Sequence, residues 1–212
     1  MIYKTSNKLI IALDGPSGVG KGLIGRLLAE ELDLKYFQSS ILYRVLAYKI
    51  KELNLDLDDK QSITILSKNI DIDNIDAKDL EDEFIGSIAS KVATIGEVRN
   101  NLSKYLEDMV KKNHRLIMEG RDIGTKIIPN ADLKIFLIAS IEKRAERRYK
   151  QLIANNKNVI LPEILEQLKK RDLRDTTRKV DPLIPALDAK IIDTSEITPS
   201  EIIAKILKFL EK

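Results

Sequence analysis

Short apolar runs alternate with longer charged stretches over most of the chain. KLIIAL (8–13), LKYF (34–37), RLIMEG (115–120), LKIFLIA (133–139) and AKIID (189–193) have the length and continuity of buried strands. Between them the period becomes helical. After Gly20, the residues Ile24, Leu27, Leu28 and Leu32 form one stripe, which predicts a helix packed by that face. Thr198-Pro199-Ser200-Glu201 then combines a capping box with proline at the first helical position. Ile202, Ile203, Ile206, Leu207 and Leu210 follow on one face, predicted to lie on the sheet. Strands and helices in this order predict an α/β fold: a parallel sheet of about five strands covered on both faces. From about residue 55 to 86 the pattern weakens into a stretch rich in Asp, Asn and Ile, which reads as a peripheral insertion.

Composition narrows the class. At 212 residues the chain is expected to form a single domain. With 36 basic and 33 acidic side chains the net charge is +3, too small to point to nucleic acid or an anionic membrane as partner. The absence of cysteine excludes disulfides, thiolate metal sites and a cysteine nucleophile, and fits a reducing cytoplasm. No apolar span reaches the ~20 residues of a membrane helix. The run near the N-terminus is too short for a secretion signal. A cytoplasmic monomer is expected. Arginine is unevenly spread: Arg144, Arg147, Arg148, Arg171, Arg174 and Arg178 bunch in one region, and arginine suits bidentate contact with phosphate.

The stretch DGPSGVGKGL (14–23) joins the first predicted strand to the first helix. Gly15, Gly20 and Lys21 fit the phosphate-loop frame G-x-x-x-x-G-K-[ST], but Gly22 stands where the hydroxyl belongs and Leu23 follows. Such a loop turns backbone N–H groups and a helix N-terminus toward an anion. Gly15, Pro16, Ser17, Gly18, Val19, Gly20, Lys21, Gly22 and Leu23 are therefore the candidate contacts for ATP phosphates, with a simple glycine-rich helix cap as the alternative. The missing hydroxyl argues against a switch GTPase and suits a nucleoside monophosphate kinase. No side chain is assigned as a metal ligand. Mg2+ is expected to rest on nucleotide phosphates, with Ser17 and water nearby.

A kinase whose acceptor is itself a phosphate needs a second anion site, placed at the carboxyl ends of the parallel strands. Ser39 and Arg44 follow the second predicted strand, and Arg121 and Asp122 follow the third. With these residues placed, DGPSGVGKG, YFQSSILYRVLA, SKVATIGEVR, EGRDIGTKIIPNADLKIFLIASIEKRAERRYKQL and EILEQLKKRDLRDTTRKVDPLIPALDAKIIDTS occur in the order found in bacterial cytidylate kinases. The chain resembles that family over most of its length.

The resemblance implies a three-layer P-loop kinase fold with a small NMP-binding part and a short lid. The parts would run 8–38 for the loop unit and second strand, 39–112 for the NMP-binding part with a shortened insert, 113–145 for core, 146–160 for the lid and 161–212 for core. It implies transfer of the ATP γ-phosphoryl group to CMP or dCMP. Arg44, Arg121 and Arg171 resemble the arginines around the acceptor phosphate. Ser39, Arg99, Asp122 and Arg178 resemble the cytosine contacts, and Ser90, Arg171 and Asp175 those to the pentose. Arg147 and Arg148 match lid arginines. Lys21, Arg121 and Arg171 are the expected catalytic cations.

A carboxylate paired with arginines fits the N4 donor beside the N3 and O2 acceptors of cytosine. The family pattern is broken at Leu23, at Gln38 and Ser40 where Asp and Gly are usual, and at Glu119 in place of Asp. On spacing alone, Arg171, Arg174 and Arg178 share one face of a helix that Pro162 starts and Pro182 ends, which also describes a solvated basic face. Arg99 taken alone reads rather as an ordinary helix-surface residue. Another P-loop kinase, for UMP or AMP, and a nucleotide-binding regulator without turnover stay open as alternatives.

Overall fold

The computed structural model describes residues 7–72, 75–80 and 82–211. Residues 1–6, 212, and Asp73, Asn74 and Glu81 of the expected insertion lie outside the described residues. The chain runs β1 (Leu9–Asp14), α1 (Lys21–Leu32), β2 (Lys35–Gln38), α2 (Ser40–Glu52), α3 (Lys60–Leu66), α4 (Ala77–Leu80), α5 (Glu83–Val92) and α6 (Gly96–Lys112). It continues through β3 (Arg115–Gly120), a π-helical turn (Ile123–Ile127), β4 (Leu133–Ile138), α7 (Ile141–Ala154), α8 (Leu161–Thr177), β5 (Lys190–Asp193) and α9 (Pro199–Leu210). The five strands form one parallel sheet in the order β2-β3-β1-β4-β5.

Strand alternation decides which helix covers which face. Ile11, Leu13, Ile117, Ile135 and Leu137 meet Ile24, Leu28 and Leu32 of α1 and Ile202 and Ile206 of α9. The opposite face, with Ile10, Ala12, Leu116 and Met118, meets Leu42, Leu46 and Ile50 of α2, Ile85 and Ile88 of α5, and Val98, Leu102 and Leu106 of α6. A smaller core of Ala145, Leu152, Ile164 and Leu168 joins α7 to α8. The capping box of α9 is formed: Glu201 Oε2 accepts from Thr198 N at 2.7 Å, and Thr198 Oγ1 accepts from Glu201 N.

Three expectations need correction. Leu27 is exposed rather than part of the α1 stripe, because Ile24, Leu28 and Leu32 already face the sheet and Leu27 turns toward the rim beside α9. The stretch 55–86 is not wholly peripheral: α5 begins inside it, capped by Asp82, and buries Ile85 in the main core against α2. The helix carrying Arg171 and Arg174 ends at Thr177, before Pro182, and Arg178 is its extended cap. Thr176 and Thr177 donate their hydroxyls back to Asp172 O and Leu173 O, and beyond the proline Leu183 N donates to Asp175 O at 2.8 Å, folding the chain back against the end of the helix. Arg178 N still donates to Arg174 O at 3.1 Å, so its side chain starts from the helix and lines the same cleft as Arg171 and Asp175.

Candidate active site

The glycine loop leaves the carboxyl end of β1, the central strand, and enters α1. Gly20 is the N-cap of α1 at φ 102°, and no side chain caps the helix, so its first N–H groups are left for an incoming anion. At Gly15 a β-carbon would stand 2.4 Å from Leu137 O, which requires glycine there. Lys21 is buried, and its Nζ donates to Gly15 O and Pro16 O, both at 2.8 Å. Burial, followed by the positive charge of Arg121, holds its pKa well below the usual lysine value. Leu23 is 46 % exposed. Gly22 faces the ends of Arg26, Tyr36 and Glu119, with Glu119 Oε1 3.8 Å from the position a β-carbon would take.

Two arginines of α7 support this loop. Buried Arg144 donates to Ser17 O at 3.1 Å, to Ala139 O at 3.2 Å, and to Asp172 Oδ2 at 2.6 Å. Arg147 donates to Thr194 O and Oγ1 and to Val19 O. Arg148 points elsewhere, pairing with Glu83 of α5 and with Gln151. Residues 146–160 are the second half of α7 and the turn into α8.

A cleft opens beside the loop, at the carboxyl ends of β2 and β3, and holds every residue expected to bind the acceptor. Ser39 is buried at the start of α2, with its N–H donating to Glu119 O at 3.0 Å. Arg44 of α2 donates to Leu80 O and reaches Gly86 of α5. Arg121 does not pair with its neighbour Asp122. Its Nε donates to Asp175 Oδ2 at 3.0 Å, while Asp122 accepts from Arg99 and, at 3.4 Å, from Arg178. Arg99 is 2 % exposed, which rules out the surface reading; it also donates to Asp181 Oδ2 at 3.1 Å. Ser90, from α5, accepts from Arg174 Nε at 3.2 Å.

The cleft is divided electrostatically. At its floor, Asp122 and Asp181 neutralise Arg99 and Arg178. Nearer the loop the cations outnumber the carboxylates. Arg171 Nε is buried with no hydrogen-bond partner among the described residues, and burial and the charge of Arg121 push its pKa down to about 10. Against the upward pull of burial, Arg121 and Arg171 hold Asp175 below the usual carboxylate range. Crowded, partly unpaired cations next to a phosphate loop form a site that an anion would relieve.

Sequence reasoning missed several contributors. Tyr43, one residue before Arg44, lies under the Arg99 guanidinium at 5.9 Å, and burial pushes its hydroxyl up to about 12. Asp181, at φ 47°, turns the chain after α8 so that its carboxylate meets Arg99. Arg144 appeared among the clustered arginines without a distinct role. Only the helical offset of Tyr43 from Ser39 could have flagged any of them; the rest depend on folding distant segments together.

A glycine loop between the first strand and helix of a five-stranded parallel sheet, with a cationic cleft at the strand ends, defines a P-loop kinase. Solved structures agree on the fold. A gluconokinase from Sinorhizobium meliloti superposes with a TM-score of 0.52 at 15 % identity, covering 96 % of this chain and 92 % of its own. A shikimate kinase from Bacteroides thetaiotaomicron gives 0.52 at 10 %, covering 96 % and 99 %. Sequence is more specific. The cytidylate kinase profile matches residues 11–212, and a cytidylate kinase of Rickettsia felis is 53 % identical over 209 residues, 99 % of this chain and 94 % of that one. One from Rickettsia rickettsii is 51 % identical over the same shares. The chain belongs to the cytidylate kinase family.

Proposed function

We propose that the chain transfers the γ-phosphoryl group of ATP to CMP or dCMP, giving the diphosphate and ADP, by positioning and electrostatics without a covalent intermediate. In this reading Gly15 to Leu23 and Lys21 hold the ATP phosphates. Arg44, Arg121 and Arg171 take the acceptor phosphate, Ser90, Arg171 and Asp175 the pentose, and Ser39, Arg99, Asp122 and Arg178 the base. Arg147 and Arg148 complete the donor side, Arg147 through the loop carbonyl it already touches. The observation that carries the reading is the orientation of Asp122. Two buried arginines hold this carboxylate at the cleft floor, where it accepts from an N4 amino group and repels the O4 of uracil. The acceptor oxygen is already ionised at neutral pH, because the second phosphate pKa lies near ~6, so no strong base is required.

Mg2+ fits the site on one observation: Glu119 is buried beside Gly22 and the Tyr36 hydroxyl, and its Oε2 has no well-formed hydrogen bond among the described residues. Glu119, through water, and the nucleotide phosphates would hold the ion, which would supply charge neutralisation between the phosphates. We read the protein as a cytoplasmic monomer; no helix among the described residues is long and apolar enough to cross a membrane. The parts proposed from the sequence, with residues 39–112 closing over the monophosphate and 146–160 over ATP, remain our division of the chain. ADP production measured over CMP, dCMP, UMP, AMP and dTMP tests the whole reading. Highest kcat/KM with CMP or dCMP is expected. Preference for UMP or AMP would overturn the base site, and nucleotide binding without turnover would overturn catalysis.

A further inference from the structure

Asp14, the last residue of β1, belongs to neither group of ligand residues above. Its two carboxylate oxygens accept from the backbone N–H groups of Ile123 at 2.9 Å and Gly124 at 2.7 Å. These are the residues that directly follow Arg121 and Asp122, and Asp14 lies opposite Gly120 in the β1–β3 register. One side chain thus ties the strand end that launches the phosphate loop to the segment that carries two proposed acceptor ligands.

The residue type is informative. Asp14 is 4 % exposed and has no salt-bridge partner among the described residues. Burial pushes its carboxyl up to about 6 in spite of the two N–H donors. A buried carboxylate is expensive, and asparagine of the same shape would avoid the charge. An amide, however, has a single acceptor oxygen, and its NH2 would confront one of the two N–H groups. Two adjacent backbone donors need the carboxylate.

We propose that Asp14 is a positioning residue for the acceptor site, fixing the backbone at 123–124 and so aiming Arg121 and Asp122 into the cleft. The surroundings fit this role. The turn is crowded: a β-carbon on Gly124 would stand 3.4 Å from Asp14 Oδ2 and 3.3 Å from Lys134 Cδ. The backbone there has little room to recover its position if the carboxylate is lost. Asp122 sits at φ −143° and ψ 23°, outside helix and strand, and its carbonyl accepts from Lys126 N at 2.8 Å. The turn that presents the Asp122 carboxylate is therefore held at its far end by its own hydrogen bonds and at its near end by Asp14.

The inference rests on Arg121 and Asp122 being acceptor ligands, and three variants of the full chain separate the two claims. In Asp14→Asn, KM for CMP should rise at least about tenfold, roughly 1.4 kcal/mol, and the CMP-to-UMP ratio of kcat/KM should fall, while KM for ATP stays within about threefold. Gly124→Ala, which crowds the same oxygen from outside, should raise KM for CMP by about threefold with ATP unaffected, and it decides the matter if Asp14→Asn does not fold. A loss of thermal stability with both KM values unchanged, or an equal rise in both, would overturn the positioning role. Asp122→Asn tests the underlying reading: if it lowers the CMP-to-UMP ratio while Asp14→Asn does not, the inference alone fails. If Asp122→Asn changes nothing, both fall.

Discussion

The phosphate loop and the acceptor cleft bind the same chemical group by opposite means. The loop is contiguous, nine residues from Gly15 to Leu23, and offers backbone N–H groups, a helix end and one lysine. The cleft is assembled from α2, α5, α6, the turn after β3, α8 and the segment beyond it, and offers guanidinium groups interleaved with carboxylates. The difference follows from what each must distinguish. A triphosphate is recognised by charge and extent, for which a fixed cradle of dipoles suffices. A monophosphate acceptor must also be read at its base, which needs side chains with directional donors and acceptors, and these must be buried to be selective. The carboxylates of the cleft have a second effect: they keep Arg99, Arg121 and Arg178 in place before any nucleotide arrives.

The comparison breaks most severely at the loop, where a single cation has no substitute. Lys21→Met should lower kcat with CMP by about a thousandfold or more, the loss typical of a preorganised charge removed from a transition state. Circular dichroism and thermal unfolding should show a folded protein, because methionine fills the same buried space. Turnover near that of the wild type would detach the loop from ATP.

The seam between the regions gives a pH signature. Burial raises the carboxyl of Asp14 from the usual 3.8 to about 6 in the fold. Its contribution to stability is then fully present below about 4 and is lost as pH rises through about 6. Relative to Asp14→Asn, which does not titrate there, the wild type should lose up to about 3 kcal/mol between pH 4 and pH 7, at ~1.4 kcal/mol for each tenfold change in proton affinity. Urea midpoints of the two proteins at several pH values measure this, and a constant difference would mean that no buried charge develops at Asp14.

In the cleft the largest single change should be in selectivity. Asp122→Asn lets an amide turn its NH2 toward O4 of uracil, so the CMP-to-UMP ratio of kcat/KM should fall about tenfold or more, the discrimination of roughly 1–3 kcal/mol expected when a polar group changes partner. Competing steady-state rates for the two monophosphates give the ratio directly. An unchanged ratio takes Asp122 out of the base site.

The same contrast explains what could be read from sequence. All five strands, the loop and the cap of α9 were visible because each is encoded by neighbours: an apolar run, a glycine spacing, a Thr-Pro-Ser-Glu start. Position, as opposed to presence, was less legible. The end of α8 was placed at Pro182, a local stop signal, whereas the helix ends at Thr177 and Leu183 N bonds back to Asp175 O, a contact that local spacing does not announce. Arg99 looked like a surface residue because its partners, Asp122 and Asp181, are 23 and 82 positions away. Asp14 looked like the first letter of a loop motif, because the two N–H groups it holds lie more than a hundred residues further on. The cleft residues were found through resemblance to a family, since only folding brings them together.

The smallest effect is expected where the loop departs from its usual pattern. Leu23 is 46 % exposed, so threonine there sacrifices little burial and perturbs the start of α1 only slightly. If the metal is held by nucleotide phosphates and by Glu119 through water, a hydroxyl at position 23 adds a contact the site does not need. Leu23→Thr should then change kcat by less than about tenfold, roughly 1.4 kcal/mol of barrier, at saturating Mg2+. Glu119→Gln should instead raise the magnesium concentration needed for half-maximal rate, because it removes the negative charge of a buried carboxylate beside Gly22. Steady-state rates of the three proteins across a magnesium titration separate the possibilities. A gain of orders of magnitude in Leu23→Thr would mean that the loop lost its metal contact together with its activity. Equal magnesium dependence in Glu119→Gln and wild type would mean that the carboxylate beside Gly22 serves the packing around Tyr36 and Lys21 rather than the metal.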